Sequence, residues 1–136
     1  NLCVNERQNS VVAALRFFNR IDFYDLKGTY QRSFTYGKEP IVPLLKKNDT
    51  QVDVLGTTKW FIDICGTDQY VYCLYDGSVD FSNLSTLLVL SWDGKLKKQL
   101  YFDRSIKRIA VVSSDRFLVA LAQDESGVLD VVKYLL

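Results

Sequence analysis

Residues 62–75, IDICGTDQYVYCLY, align without a gap on residues 109–122, IAVVSSDRFLVALA, at an offset of 47 residues. This internal repeat constrains the fold of the 136-residue chain more than any other feature it has. Asp68 falls on Asp115, Tyr70 on Phe117, Val71 on Leu118 and Leu74 on Leu121. Each copy reads as a strand, a short polar turn and a second strand that is apolar at nearly every position. Copies of such a unit must stack on one another, because one copy alone cannot cover its own apolar surface.

A second hairpin repeats around the first. Residues 21–30, IDFYDLKGTY, resemble residues 87–96, LLVLSWDGKL, at an offset of 66 residues with Gly28 on Gly94. Asp93-Gly94 predicts a two-residue type I′ turn, which requires positive φ at both positions, and Lys27-Gly28 a weaker version of it. The ending from Val128 to Tyr134 repeats the strand before that turn, with Tyr134 placed on Trp92, 42 residues earlier. The unit is strand, turn, strand, loop, strand, glycine turn, strand over roughly 42 to 47 residues, the spacing of propeller blades. The expected fold is therefore all-β and β-propeller-like, a single domain over 1–136 with nearly three four-stranded antiparallel blades. The blades are expected at about 2–36, 60–103 and 107–136, the last without its fourth strand. Pro40, Pro43, Lys46-Lys47 and Asn48-Asp49 mark 37–59 as an insertion loop.

A sandwich is the competing all-β arrangement. In a sandwich one face of each sheet meets water, so strands should alternate apolar with polar residues, and Tyr70 to Tyr75 and Phe117 to Ala122 do not. Strands covered on both faces are what stacked blades produce. Lys95 to Lys98 fit an outer strand, where lysines discourage edge-to-edge pairing. An aromatic content of 13% beside many Val, Ile and Leu suits pleated sheets.

The "YVYCLYDG" strand and loop at 70–77, the "LVLSWDGKL" turn at 88–96, the "IKRIAV" return at 106–111 and the terminal "VVKYL" resemble the TolB-like six-bladed β-propellers of the Bacteroidetes type. The similarity covers about four fifths of the chain, and the motifs describe a blade more than a chemistry. The resemblance implies a periplasmic or cell-envelope location, as a lipoprotein in a longer precursor, and a role in binding a protein, peptide or glycan. A closed six-bladed ring needs about twice this length at 40 to 45 residues per blade. Completion is expected either from further blades N-terminal to Asn1 or from a second copy in a homodimer.

Charge and composition exclude several functions. Lys and Arg number 17 against 16 for Asp and Glu, a net charge of +1, so no broad positive field points to nucleic acid. No apolar run reaches the roughly 20 residues of a membrane-spanning helix. The start of the chain has no secretion signal, and without an initiating Met it is expected to be a mature form or an excised piece. Cys3, Cys65 and Cys73 lack metal-ligand spacing and are expected as buried free thiols.

With no histidine, the commonest general base, the Ser-His and Cys-His pairs and the His-bearing zinc sites are all absent. Carboxylate pairs remain: Asp22 with Asp25, Asp63 with Asp68, and Asp76 with Asp80. At strand ends and turns such residues ordinarily cap the backbone. The spacing of Asp76, Asp80 and Asn83 lacks the ligand ladder and terminal Glu of an EF-hand loop, so neither metal nor cofactor is expected. Tyr75, Asp76, Asp80, Phe81 and Asn83 are the ligand-binding candidates, because their loop joins two strands of the middle unit and mixes aromatic, acidic and amide groups. Leu44, Leu45 and Val54 in the insertion are candidates for docking a partner. Trp60 and Trp92 lie in apolar runs and are assigned to packing between blades. The leading expectation is a non-enzymatic binding or scaffold protein. The alternative is a propeller hydrolase or lyase working through carboxylates and a metal.

Overall fold

The structure, a computed structural model, describes residues 1–47, 50–83 and 85–136, so the expected Asn48-Asp49 part of the polar cluster lies outside the described residues. The fold is all-β and propeller-like, with eleven strands among the described residues in three antiparallel sheets of four, four and three strands. The first sheet holds β1 (Leu2–Asn5), β2 (Ser10–Ala14), β3 (Arg20–Tyr24) and β4 (Tyr30–Thr35). The second holds β5 (Lys59–Gly66), β6 (Tyr70–Ser78), β7 (Thr86–Ser91) and β8 (Leu96–Tyr101). In the third, β9 (Ser105–Val111), β10 (Phe117–Gln123) and β11 (Leu129–Leu135) follow in order, and β11 has one unpaired edge. Strands succeed one another in space as in sequence, and β5 touches β1 on one side and β9 on the other. The first strand of each sheet thus lies nearest the neighbouring sheets, as around a propeller axis.

The middle sheet shows why its strands are apolar throughout. Side chains of a strand alternate between faces. On β6, Val71 and Cys73 join the core against the first sheet, while Tyr72 and Leu74 join the core against the third. On β7, Leu88 and Leu90 face the first sheet, and Leu87 and Val89 face the third. All four β7 side chains are buried, because a layer covers each face. The first core also takes Val12, Ile21, Phe23 and Trp92; the second takes Ile106, Ile109, Leu118 and Ala120.

The repeat at an offset of 66 residues holds atom for atom. Tyr36 N donates to Asn19 O at 2.8 Å, and Phe102 N to Ser85 O at 3.0 Å. Both hairpins carry a register shift one strand before the turn, at Phe23/Tyr24 and Val89/Leu90. The turns themselves differ from expectation. Gly94 has φ 81°, but Asp93 does not have positive φ, and Gly94 N bonds Ser91 O at 2.9 Å. This is a type I turn closed by a left-handed glycine, and the I′ expectation is corrected; a third residue in the loop lets Gly94 alone supply the left-handed step. Asp25 to Gly28 and Asp124 to Gly127 repeat it, with φ 82° and 85° at the glycines. In the first turns of the outer sheets Asn9 (φ 47°) and Asp115 (φ 55°) hold the left-handed place, which Asn and Asp tolerate better than other side chains.

A second correction concerns Tyr134. Tyr70 pairs Ser91 in the middle sheet, and Phe117 pairs Leu135 in the third. With Tyr70 on Phe117, Tyr134 therefore matches Leu90, and Leu136 matches Trp92. The two-residue slip went unseen because side chains alternate with period two, so the same faces remain apolar. Blade limits also shift slightly: β5 begins at Lys59, inside the expected insertion, and β9 at Ser105. Before Lys59, the described residues of the insertion are loop apart from one bridge, Leu45 with Val52.

All three cysteines are free, with Cys73 fully buried between sheets and Cys3 and Cys65 half-buried. Burial pushes the Cys3 and Cys65 thiols up to about 12, and burial also raises Cys73 well above its ordinary value. Tyr72 rises too, through burial and its bond to Asp115. Raised folded values mean that these groups stabilise the fold fully below their ordinary values and lose that contribution as the pH climbs. The melting temperature is therefore expected to be flat to about pH 9 and to fall steadily above it. A profile that stays level through pH 11 would show that these groups are solvated in the folded chain.

Candidate functional site

The strand order puts two sets of loops at opposite ends. At one end lie the β2–β3, β4–β5, β6–β7, β8–β9 and β10–β11 connections, and at the other the hairpin turns β1–β2, β3–β4, β5–β6, β7–β8 and β9–β10. The hairpin end is closed by side-chain bonds. Asn5 Nδ2 donates to Thr67 O at 3.2 Å and Arg32 Nη1 to Asp93 O at 2.8 Å, both from the first sheet to the second, while Trp92 Nε1 donates to the same Thr67 O at 3.0 Å within the second sheet. Asp115 Oδ1 accepts Thr67 Oγ1 and Tyr72 Oη, each at 2.7 Å, which ties the second sheet to the third. Its repeat partner Asp68 is exposed and pairs with Arg7, so aligned positions need not share a role.

The open end contains the loop singled out in the sequence, and its candidates separate there. Tyr75 packs into the contact between the first two sheets, 4.5 Å from the Tyr36 ring and 5.9 Å from Trp60. Asp76 is buried, and its Oδ1 accepts Ser78 N at 2.9 Å and the Ser78 hydroxyl, which forms the turn into the loop. Asp76 Oδ2 meets no partner among the described residues. Asn83 Nδ2 donates to Asp76 O at 3.1 Å and closes the loop on itself. Asp80 is exposed, accepts Ser82 N at 3.2 Å, and is held below the usual carboxylate range by its side-chain bond to Ser82.

Phe81 is the exception. Its φ of 62° is a left-handed conformation that a bulky aromatic residue rarely adopts and that costs of order 1–3 kcal/mol. The ring lies 6.0 Å from Lys59 Nζ, whose ammonium is buried and donates to Val79 O. It forms one wall of a cleft of about 440 Å³ whose other lining residues are Arg16, Ile62, Lys107, Arg108 and Leu121. Arg16 comes from the β2–β3 loop, Phe81 from β6–β7, Ile62 from β5 and the remaining three from the third sheet, so three sheets build it.

The cleft is cationic without internal neutralisation. No carboxylate lines it, and among the described residues none of Arg16, Lys107 and Arg108 forms an ion pair. Arg108 Nη1 reaches Ile62 O at 3.4 Å, and Lys107 Nζ bonds Ser105 Oγ at 2.9 Å. Beside it a second hollow is lined by Asp103, Arg104, Asp124 and Glu125 with Ser82, Ser105 and Gln123, so the open end is split into a basic and a largely acidic half. Sequence reading missed Arg16, Lys107 and Arg108. Lys107-Arg108 was visible as a basic pair within the β9 run, but nothing in a linear sequence ties it to Arg16, about 90 residues earlier.

The remaining carboxylates are occupied structurally. Asp63 Oδ2 accepts Ile109 N at 2.9 Å across sheets, Asp25 Oδ1 caps Lys27 N and Thr29 N, and Asp22 is buried against Arg20 at 2.8 Å. Among the described residues no group of three acidic or cysteine side chains is placed to hold a metal. Leu44, Leu45 and Val54 are each at least half exposed on the insertion, beside Leu55 at 85%. Trp60 and Trp92 both pack in or against the first core. No helix among the described residues is long and apolar enough to cross a membrane. No protein-family model matches the chain, and no curated protein matches it.

Proposed function

We propose that the chain is a non-enzymatic binding module that presents the open end of its stacked blades to a protein, peptide or glycan. The observation carrying this reading is the Phe81 cleft, where a strained aromatic residue, Arg16 of the first sheet and the Lys107-Arg108 pair of the third converge on one hollow, with no ion pair to these cations among the described residues. Catalysis by paired carboxylates is disfavoured by the occupation of Asp22, Asp25, Asp63 and Asp80 in turns and bonds between sheets. One observation favours the metal-dependent hydrolase or lyase, the unpartnered Asp76 Oδ2. A thermal-shift series with calcium and with a chelator separates the two: no shift is expected, and a calcium-dependent rise of several degrees would favour the metal enzyme.

The binding reading is tested on mixed peptide and glycan arrays. Ligands retained by the native chain should be lost with Phe81→Ser and kept with Lys27→Glu, a change at the hairpin end. Absence of any ligand, or equal binding by Phe81→Ser, would remove the reading.

We further propose membership of the TolB-like six-bladed propellers and a cell-envelope location, both resting on the sequence resemblance alone. A ring completed by further blades or by a second copy is proposed from the outer faces of the end sheets. Leu2 and Val4 are 68% and 58% exposed on the first, and Val131 and Leu135 are 68% and 85% exposed on the third. Adjoining blades would cover such surfaces. Light scattering at micromolar concentration should find self-association; a well-behaved monomer would count against the second copy.

A further inference from the structure

We propose that the Phe81 cleft takes a short acidic peptide segment, with a carboxylate among Arg16, Lys107 and Arg108 and a neighbouring apolar side chain on Phe81 and Leu121. The proposal rests on the binding role given to this end and names the ligand's chemistry. Three lines of geometry support it.

First, the lining holds three cations and three apolar side chains and no neutralising carboxylate. An unpaired cationic hollow is filled most favourably by an anion, and guanidinium groups suit a carboxylate because they offer paired, planar donors. Second, the lining contains no carboxylate or amide side chain to bond sugar hydroxyls, whereas its apolar half matches a Leu or Phe next to an acidic residue. Third, the adjoining hollow with Asp103, Asp124 and Glu125 limits the length of any anion. A long polyanion would run from the basic half onto these carboxylates, where like charges oppose it, but a segment with one or two acidic residues stays within the basic half.

Local architecture makes the cleft a preformed receptor. Trp60 N bonds Arg16 O at 2.7 Å, which anchors the β2–β3 loop to the start of β5. Phe81 is held by a loop that closes on Asp76 through Asn83 and Ser78. Little loop ordering remains to oppose binding.

The test uses the full chain and fluorescence anisotropy with three labelled probes. These are a peptide alternating Glu with Leu and Phe, the same peptide with Gln in place of Glu, and a polyuronate oligosaccharide. The acidic peptide should bind at least about tenfold more tightly than its amide counterpart and weaken as salt is raised. Arg16→Glu with Lys107→Glu should reduce binding about tenfold or more, while Lys27→Glu leaves it unchanged. Both variants alter surface charge, and an unchanged melting temperature confirms that each is folded. Equal affinity for the two peptides, tighter binding of the polyuronate, or indifference to the double reversal would overturn the proposal. Were an uncharged ligand from the arrays to bind in a Phe81-dependent way, the binding role would stand and this ligand class would fall. Were no array ligand or probe to bind, both would fall.

Discussion

Alanine at Leu87 and alanine at Leu88 are each expected to lower the unfolding free energy by about 2–5 kcal/mol, although the two residues are adjacent on one strand and point to opposite faces. Both are 0% exposed, one in the core shared with the third sheet and the other in the core shared with the first. In a sheet with one wet face, one of the pair would cost almost nothing, because its side chain would already be in water. Urea unfolding of both variants, with Leu96→Ala on the exposed outer strand as reference, decides the matter. The reference should change stability by less than about 1 kcal/mol. A cost below about 0.5 kcal/mol for either core variant would mean that one side of the middle sheet is uncovered, and the stacked arrangement would go with it.

Trp92→Ala is expected to cost about 3–5 kcal/mol and Trp92→Phe about 1–2 kcal/mol. The indole fills the first core at 8% exposure, and its N–H shares Thr67 O with the Asn5 side chain. Its ring also sets the size of the residue opposite: a Cβ on Gly66 would stand 2.8 Å from Trp92 Cζ2. Phenylalanine keeps most of the burial and removes one of two donors to Thr67 O, so it isolates the hydrogen bond. If both variants unfold like the native chain, Trp92 is not a clamp between the first two sheets. If phenylalanine costs as much as alanine, the bond outweighs the packing.

The fold was largely legible because its signals are local or periodic. The 66-residue offset located the hairpins of the first two sheets, and the unbroken apolar run at 70–75 pointed to a strand covered on both faces, as β6 is; the like run at 117–122 lies in β10, which buries one face fully and leaves the other only partly covered. The errors lay where periodicity carries no information. Placing Tyr134 on Trp92 kept the correct face but missed the register by two residues, since a shift of two preserves alternation. Asp93-Gly94 alone predicts a two-residue turn, but loop length is set by how the flanking strands pair, which the dipeptide does not report.

The candidate site was legible only in part. Phe81 could be chosen from its loop, but Tyr75 in the same stretch alternates inward to Tyr36 and Trp60, and Asp76 turns back to Ser78. Arg16, Lys107 and Arg108 gave no joint signal, because their convergence depends on how three sheets fan about the first strands.

By itself, the order of amino acids determined the strands, their antiparallel sequence and the need for a layer on each side of β6, since alternation and hydrophobicity act over neighbouring residues. Only the tertiary structure decided which charges meet. Electrostatic partnership depends on distance in space, and residues from a loop of one sheet and a strand of another acquire that distance when the sheets stack.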